Sequence, residues 1–110
     1  MVKYEAPALD RVFAALADPT RRGVLDSLSG GSLGVSELAA PHGMSLPGFM
    51  KHLRVLEDAG LVVARRSGRA KLHFLNPVPI RLIHDRWIDK YTERRVSALA
   101  DLKSELEETA

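Results

Sequence analysis

Six bases fall between residues 45 and 75, namely Lys51, Arg54, Arg65, Arg66, Arg69 and Lys71, and only Glu57 and Asp58 oppose them. That stretch is +4, each flank sums to −1, and the whole chain is +2 with the histidines neutral. The excess is therefore one local cluster, and the chemistry it offers is binding of a polyanion. The alternative for such a cluster is a solvated basic face with no partner.

Other reactive groups are sparse. The chain has no cysteine, which removes disulfides, thiolate metal ligands and a thiol nucleophile together. Gly30-Gly31-Ser32-Leu33-Gly34 fits the G-x-S-x-G string of a nucleophile elbow. That elbow must follow a strand inside a large α/β sheet, whereas this string follows a helical pattern in a chain of 110 residues. No phosphate loop, dinucleotide fingerprint or H-E-x-x-H occurs, so no residue set supports an enzyme. His84 could meet a metal only with Asp85, Asp89 or Glu93 across a dimer, and Arg81, Arg86, Lys90 and Arg94 compete for those acids. The expectation is no metal and no cofactor.

The composition is that of one ordinary globular domain spanning 1–110, with 45% hydrophobic and 27% charged residues. No run of eighteen apolar residues and no signal-peptide pattern occurs, so the expectation is a cytoplasmic protein without a membrane partner.

Leu9, Val12, Phe13 and Leu16 form one helical stripe, predicting a first helix over Ala8–Ala17. Asp18-Pro19 reads as N-cap and first position of a second helix carrying Val24, Leu25 and Leu28 up to Gly30-Gly31. Ser36 is the expected cap of a short third helix with Leu38 and Ala39, ended by Pro41. Ser45 caps a fourth helix, with Pro47 in its first turn, Phe49, Leu53 and Leu56 on its core face and Gly60 as its stop.

From Leu61 a β-branched run reaches the turn Ser67-Gly68-Arg69 and returns through Ala70–Leu75 to Asn76-Pro77, a hairpin. Beyond Pro79, helical spacing resumes through Ile80, Ile83, Trp87, Tyr91, Leu99, Leu102 and Leu106, with a break expected near Arg95 to Ser97. The fold class expected is mainly α with a small β-hairpin. Two short helices followed by a basic ribbon are the order of a winged helix-turn-helix, with the helix-turn-helix at about 35–60 and the wing at about 61–76.

The strings ALADPTRRGVLDSL, SELAAPHGMSLPGFMKHLRVLEDAGLV and ARRSGRAKLHFLNP closely resemble the ArsR-type family of bacterial winged-helix regulators. The similarity runs from about Leu9 to Pro77, with a matching long terminal helix after it. It implies a cytoplasmic, sequence-specific transcriptional regulator, a repressor that binds an inverted-repeat operator in double-stranded DNA as a homodimer. Its effector is unknown. Many relatives sense metals through cysteines or through His/carboxylate sets, and this chain has no cysteine.

On a 3.6-residue period, the faces of the fourth helix opposite its core residues carry Pro47, Gly48, Met50, Lys51 and Arg54. Lys51 and Arg54 can reach phosphates or guanine edges, and Ser45 can meet a phosphate at the helix N-terminus. Leu46 and Met50 stand where many relatives are polar, which predicts less direct base reading and more reading of DNA shape. His52 matches a family position, and both a DNA contact and a packing role remain open for it. Arg65, Arg66, Arg69 and Lys71 are the expected wing contacts. Dimerisation is expected through helices at about 8–17 and 79–108, with Leu9, Val12, Phe13, Leu16, Trp87, Tyr91, Leu99, Leu102 and Leu106 at the interface.

Two alternatives carry specific signatures. A winged-helix module for protein interaction or RNA binding, without operator specificity, would show an apolar patch and little charge on the fourth helix. An organic effector held near Trp87 and Tyr91 is the other, and packing explains those aromatics more simply.

Overall fold

The computed structural model describes residues 6–88 and 90–109, with the side chains of 6, 90–93 and 109 outside the description. It comprises α1 (Ala6–Leu16), α2 (Pro19–Leu28), α3 (Val35–Ala39), a 3-10 turn (Ala40–His42), α4 (Leu46–Asp58), β1 (Val62–Ser67), β2 (Ala70–Leu75), α5 (Val78–Trp87) and α6 (Lys90–Thr109). The chain divides into two compact units, residues 1–79 and 80–110.

In the first unit, α1, α2 and α4 pack against one another, α4 also meets β1, and β2 lies against α2 and α3. The buried apolar side chains are Leu9, Val12, Ala15, Val24, Leu25, Leu28, Leu38, Phe49, Leu53, Leu56, Ala59, Leu61 and Val62. The expected interface stripe on α1 therefore divides. Leu9 and Val12 belong to the protomer's own core, because α2 and α4 cover that face of α1, whereas Phe13 is 45% exposed and Leu16 is half-buried.

The Asp18-Pro19-Thr20-Arg21-Arg22 string joins α1 to α2 by polar bonds. Asp18 is the N-cap of α2, its carboxylate accepting from the Arg21 N–H at 3.0 Å, and Pro19 opens the helix where a missing N–H costs nothing. Arg21 and Arg22 turn back and donate to the last carbonyls of α1, those of Ala14 (2.9 Å), Ala15 (2.8 Å) and Leu16 (2.8 Å). Those acceptors have no partner within α1 itself, so the two guanidiniums close its C-terminus.

The N-cap of α3 is Gly34, two residues before the expected Ser36. Glu37 reaches back to the Gly34 N–H at 3.4 Å, as in a capping box. Pro41 does not end the turn region, because it sits in the first turn of the following 3-10 segment, where no N–H is required. There His42 stacks on Phe49, with ring centroids 5.7 Å apart. A Cβ on Gly23 would lie 2.8 Å from His42 Cε1, so glycine is what lets α2 approach this turn.

Both ends of α4 follow the sequence expectation. Ser45 is its N-cap and accepts from the Gly48 N–H at 3.3 Å. At the other end Gly60 adopts φ +76°, the Leu61 N–H donates to Leu56 O, and the Gly60 N–H donates to Glu57 O, each at 3.0 Å. That is a Schellman stop, with buried Leu61 packed toward the helix it terminates.

The hairpin pairs Val62 with Leu75 through Ser67 with Ala70, leaving a two-residue loop of Gly68-Arg69 with Gly68 at φ +63°. The loop is one residue shorter than expected, since Ser67 takes part in the ladder. Glycine at the first loop position supplies the positive φ that a tight hairpin of this twist needs. Leu33 bridges His73 on the outer side of β2, exchanging backbone bonds of 2.9 and 3.2 Å. The Gly-Ser segment after α2 thus contributes a third, single-residue strand.

In the second unit α5 ends at Trp87 and α6 begins at Lys90, so the break falls before the expected Arg95–Ser97. No glycine or proline marks it in the sequence. Tyr91's side chain lies outside the described residues.

Two outcomes test this packing. Leu53→Ala should cost about 2–5 kcal/mol in denaturant unfolding, the range for a fully buried leucine. Asp18 has its carboxyl pKa held below the ordinary 3.8, chiefly by the Arg21 N–H and further by charge on His52 and Arg21, against a raising effect of desolvation. A pKa lower in the folded than in the unfolded state stabilises fully above the ordinary value, and that stabilisation is lost as pH falls through the folded value. Asp18→Ala should therefore melt lower than the wild type at neutral pH, and the gap should narrow as pH falls below the ordinary carboxyl value and through the lower folded one.

Candidate nucleic-acid interface

Because Phe49, Leu53 and Leu56 hold one face of α4 in the core, the opposite face is fixed outward. It presents Pro47, Lys51 and Arg54 at i, i+4 and i+7, all exposed, and Asp58 one turn further on. Ser45 and Leu46 are exposed at the N-terminal end, and Gly48 and Met50 are half-buried beside them. A Cβ on Gly48 would sit 3.1 Å from Ser45 Oγ, so glycine leaves the capping hydroxyl uncrowded. The N-terminal end of this helix of 13 residues, with the positive end of its dipole, is thus exposed, although Pro47 has no N–H and Ser45 holds the Gly48 N–H.

Arg65, Arg66, Arg69 and Lys71 are all exposed on the hairpin, and Arg66 stands directly opposite Lys71 in the register. Like charges facing one another across a ladder are unfavourable, and an anion placed between them reverses the sign of that term. Among the described residues, none of these four, nor Lys51 or Arg54, pairs with an acid. Glu57 is drawn inward, its Oε1 3.4 Å from Nε2 of the buried His73.

His52 is placed differently from the other expected contacts. It is half-buried, and its Nδ1 lies 3.2 Å from Arg21 Nη1 and 3.6 Å from Asp18 Oδ2. Its ring is engaged inside the protein at the junction of α1, α2 and α4.

Three positioning residues were not singled out from the sequence. Asn76 donates from its side chain to Gly60 O at 2.8 Å and from its backbone to Leu61 O at 2.9 Å, while its Oδ1 accepts from the Val78 N–H at 3.2 Å. It therefore joins the end of α4, the end of the hairpin and the start of α5. The Asn-Pro dipeptide was the available signal, since asparagine before a turn bonds its own following backbone. His73, fully buried in β2, and Arg21 had no comparable local mark.

For metals, no cluster of three or more histidines, cysteines and acids occurs among the described residues. His84 Nδ1 is 3.5 Å from Asp85 Oδ1, and that same oxygen accepts from Arg81 Nε at 3.0 Å. Asp89 and the side chain of Glu93 lie outside the described residues. Trp87 is half exposed, with the Arg86 guanidinium 5.4 Å from its ring centroid.

Among the described residues, no helix is long and apolar enough to cross a membrane. The helix-turn-helix domain family matches residues 16–65, from the end of α1 to the middle of β1. An HTH-type transcriptional regulator of Mycobacterium tuberculosis is 36% identical over 102 residues, covering 93% of this chain and 92% of that protein. The crystal structure of an ArsR family transcriptional regulator is similar at a TM-score of 0.65 and 38% identity, covering 88% of this chain and 97% of the other. The solution structure of a homodimeric winged helix-turn-helix DNA-binding domain from Mycobacterium bovis, described as a possible ArsR-family regulator, matches at 0.57 and 26% identity over 100% of this chain and 94% of its own. With similarity of this extent laid over a capped, outward-facing α4 and a cationic hairpin, the chain belongs to the ArsR-type family of winged helix-turn-helix DNA-binding transcriptional regulators.

Proposed function

We propose that the chain works as a single functional domain, a homodimeric repressor that lays α4 in the major groove of each half of an inverted-repeat operator. The observation that carries this reading is the exposed Lys51–Arg54 face of α4 together with four exposed cations on the hairpin that follows it, none of them paired with an acid among the described residues. Ser45 and the N-terminus of α4 take a phosphate, Lys51 and Arg54 reach phosphate or guanine edges, and Leu46, Pro47, Gly48 and Met50 pack against the groove floor and thymine methyls. Arg65, Arg66, Arg69 and Lys71 follow the backbone or enter the adjacent minor groove.

Dimerisation is supported by exposed apolar side chains. Val96, Leu99, Leu102 and Leu106 recur along α6 with 51–65% of their surface exposed, although the polar remainder of that helix faces water without difficulty. Such a row on a helix is an unfavourable surface until another helix covers it. Phe13, Leu16 and Trp87 are further candidates for the contact, whereas Leu9 and Val12 are taken up by the protomer's own core. A two-fold pair sets its recognition helices roughly 34 Å apart, one turn of duplex. Occupancy of a promoter by such a dimer excludes other proteins from it, which is repression without further chemistry.

Selection of duplexes from a random pool at physiological salt should enrich an inverted repeat with half-sites about one turn apart. Salt-sensitive binding with no enriched sequence would overturn the reading in favour of a module without operator specificity. On the selected duplex, Arg66→Ala with Arg69→Ala should weaken binding to every sequence and reduce the magnitude of the log K against log salt slope by about 2. Arg54→Ala and Met50→Ala should instead change which bases are preferred. Sedimentation at micromolar protein should give a dimer, and Leu99→Glu with Leu102→Glu a monomer that has lost two-half-site binding.

A further inference from the structure

The Arg21 guanidinium is used on three sides. Nε and Nη2 donate to Ala15 O and Ala14 O at the end of α1, and Nη1 lies 3.2 Å from His52 Nδ1 on α4. An arginine offers only donors and stays charged, so Nδ1 completes this bond only as an acceptor. Nδ1 can accept in this way only when the His52 ring is neutral with its proton on Nε2. A proton added to Nδ1 would face an N–H donor, and the nearest acceptor is then Asp18 Oδ2 at 3.6 Å, which already receives the Arg21 N–H at 3.0 Å.

We propose that His52 is a positioning residue for the DNA-reading helix, and that its neutral Nε2–H form locks α4 to the α1–α2 junction through Arg21. Protonation exchanges Arg21 for Asp18 and moves the lock, so that binding of DNA through α4 weakens as the ring gains charge. The charged groups facing the ring are Arg21 and Asp18, both from α2 and its cap, while α1 supplies only the carbonyls that Arg21 holds. On α4 the residues one turn away are Gly48, Phe49, Val55 and Leu56, none of which titrates. Lys51 and Arg54, the expected groove contacts, lie within two residues of His52 along the same rigid helix, so a shift at His52 is a shift at both.

This inference rests on the reading of α4 as the DNA-binding helix, and its sign separates it from general electrostatics. Acidification adds positive charge to a protein and by itself strengthens binding to a polyanion. Here acidification should instead weaken binding of the wild type to the selected duplex, by about tenfold once the ring is charged. His52→Gln offers an amide oxygen to Arg21 and cannot take up the proton. It should recover most of the affinity lost in His52→Ala and respond little to pH. In the DNA-free full chain, nitrogen-15 spectra of the imidazole should show the Nε2–H tautomer near neutral pH. The amides of α4 should shift with the His52 titration in the wild type and not in His52→Gln.

An Nδ1–H tautomer, or a pH response unchanged in His52→Gln, would overturn the proposal. If the wild type binds no duplex at neutral or acidic pH, the regulator reading fails, while the tautomer and the α4 shifts still decide what His52 does.

Discussion

The geometry of the DNA-facing surface depends on how the C-terminal end of α4 is stopped. Gly60 takes a positive φ, Leu61 returns its N–H to Leu56 O, and the chain leaves in the direction that starts β1. Asn76 then bonds Gly60 O and Leu61 O from the far end of the hairpin. Helix and wing thus share one small hydrogen-bonded knot, and their relative placement follows from backbone geometry rather than from long flexible side chains. A side chain at Gly60 would put strain at the one residue on which this direction depends. Because the knot is local in space, the bases on α4 and those on the hairpin move together.

Charge placement makes sense on that scaffold. The six bases of residues 45–75 repel one another, and Arg66 opposite Lys71 concentrates the repulsion. The fold tolerates the arrangement because the side chains are exposed, where water screens them, and because among the described residues the core is apolar apart from His73. A DNA duplex converts that stored repulsion into attraction and releases counterions in doing so. The acids are kept from cancelling it: Glu57 turns toward the buried His73, and Asp58 lies at the last turn of α4, away from the capped end.

What could be read from the sequence was whatever local chemistry determines. Ser45, Pro47 and Gly60 delimit α4 through caps that involve residues a few positions apart, and Asp18-Pro19 does the same for α2. The hairpin followed from β-branched residues around Gly68. Features decided at long range were not legible. Gly34 displaced Ser36 as the cap of α3 because Glu37 completes the box and because Leu33 is already held by His73. Leu9 and Val12 share a stripe with Phe13, and only the positions of α2 and α4 decide which of them is covered. The break before Lys90 has no glycine or proline to announce it.

Histidine is the residue type whose role the sequence left most open, and its three positions in the first unit show why. His42 stacks on Phe49 and occupies the space above Gly23, His52 meets an arginine and an aspartate, and His73 is buried on the inner side of β2 with Glu57 nearby. His42 and His73 meet Phe49 and Glu57 of α4 from other parts of the chain, whereas His52 belongs to the helix and reaches out from it to Arg21 and Asp18. An imidazole is flat enough to pack like an aromatic ring and polar enough to bond across an element, and which property is used depends on the neighbour supplied by another part of the chain. At His73 the neighbour is a carboxylate 3.4 Å away without the alignment of a hydrogen bond, and Nδ1 has no partner. Burial of that ring is therefore supported mainly by packing and by the two backbone bonds to Leu33, which place the cost of a polar atom at the base of the wing rather than on the surface that meets DNA.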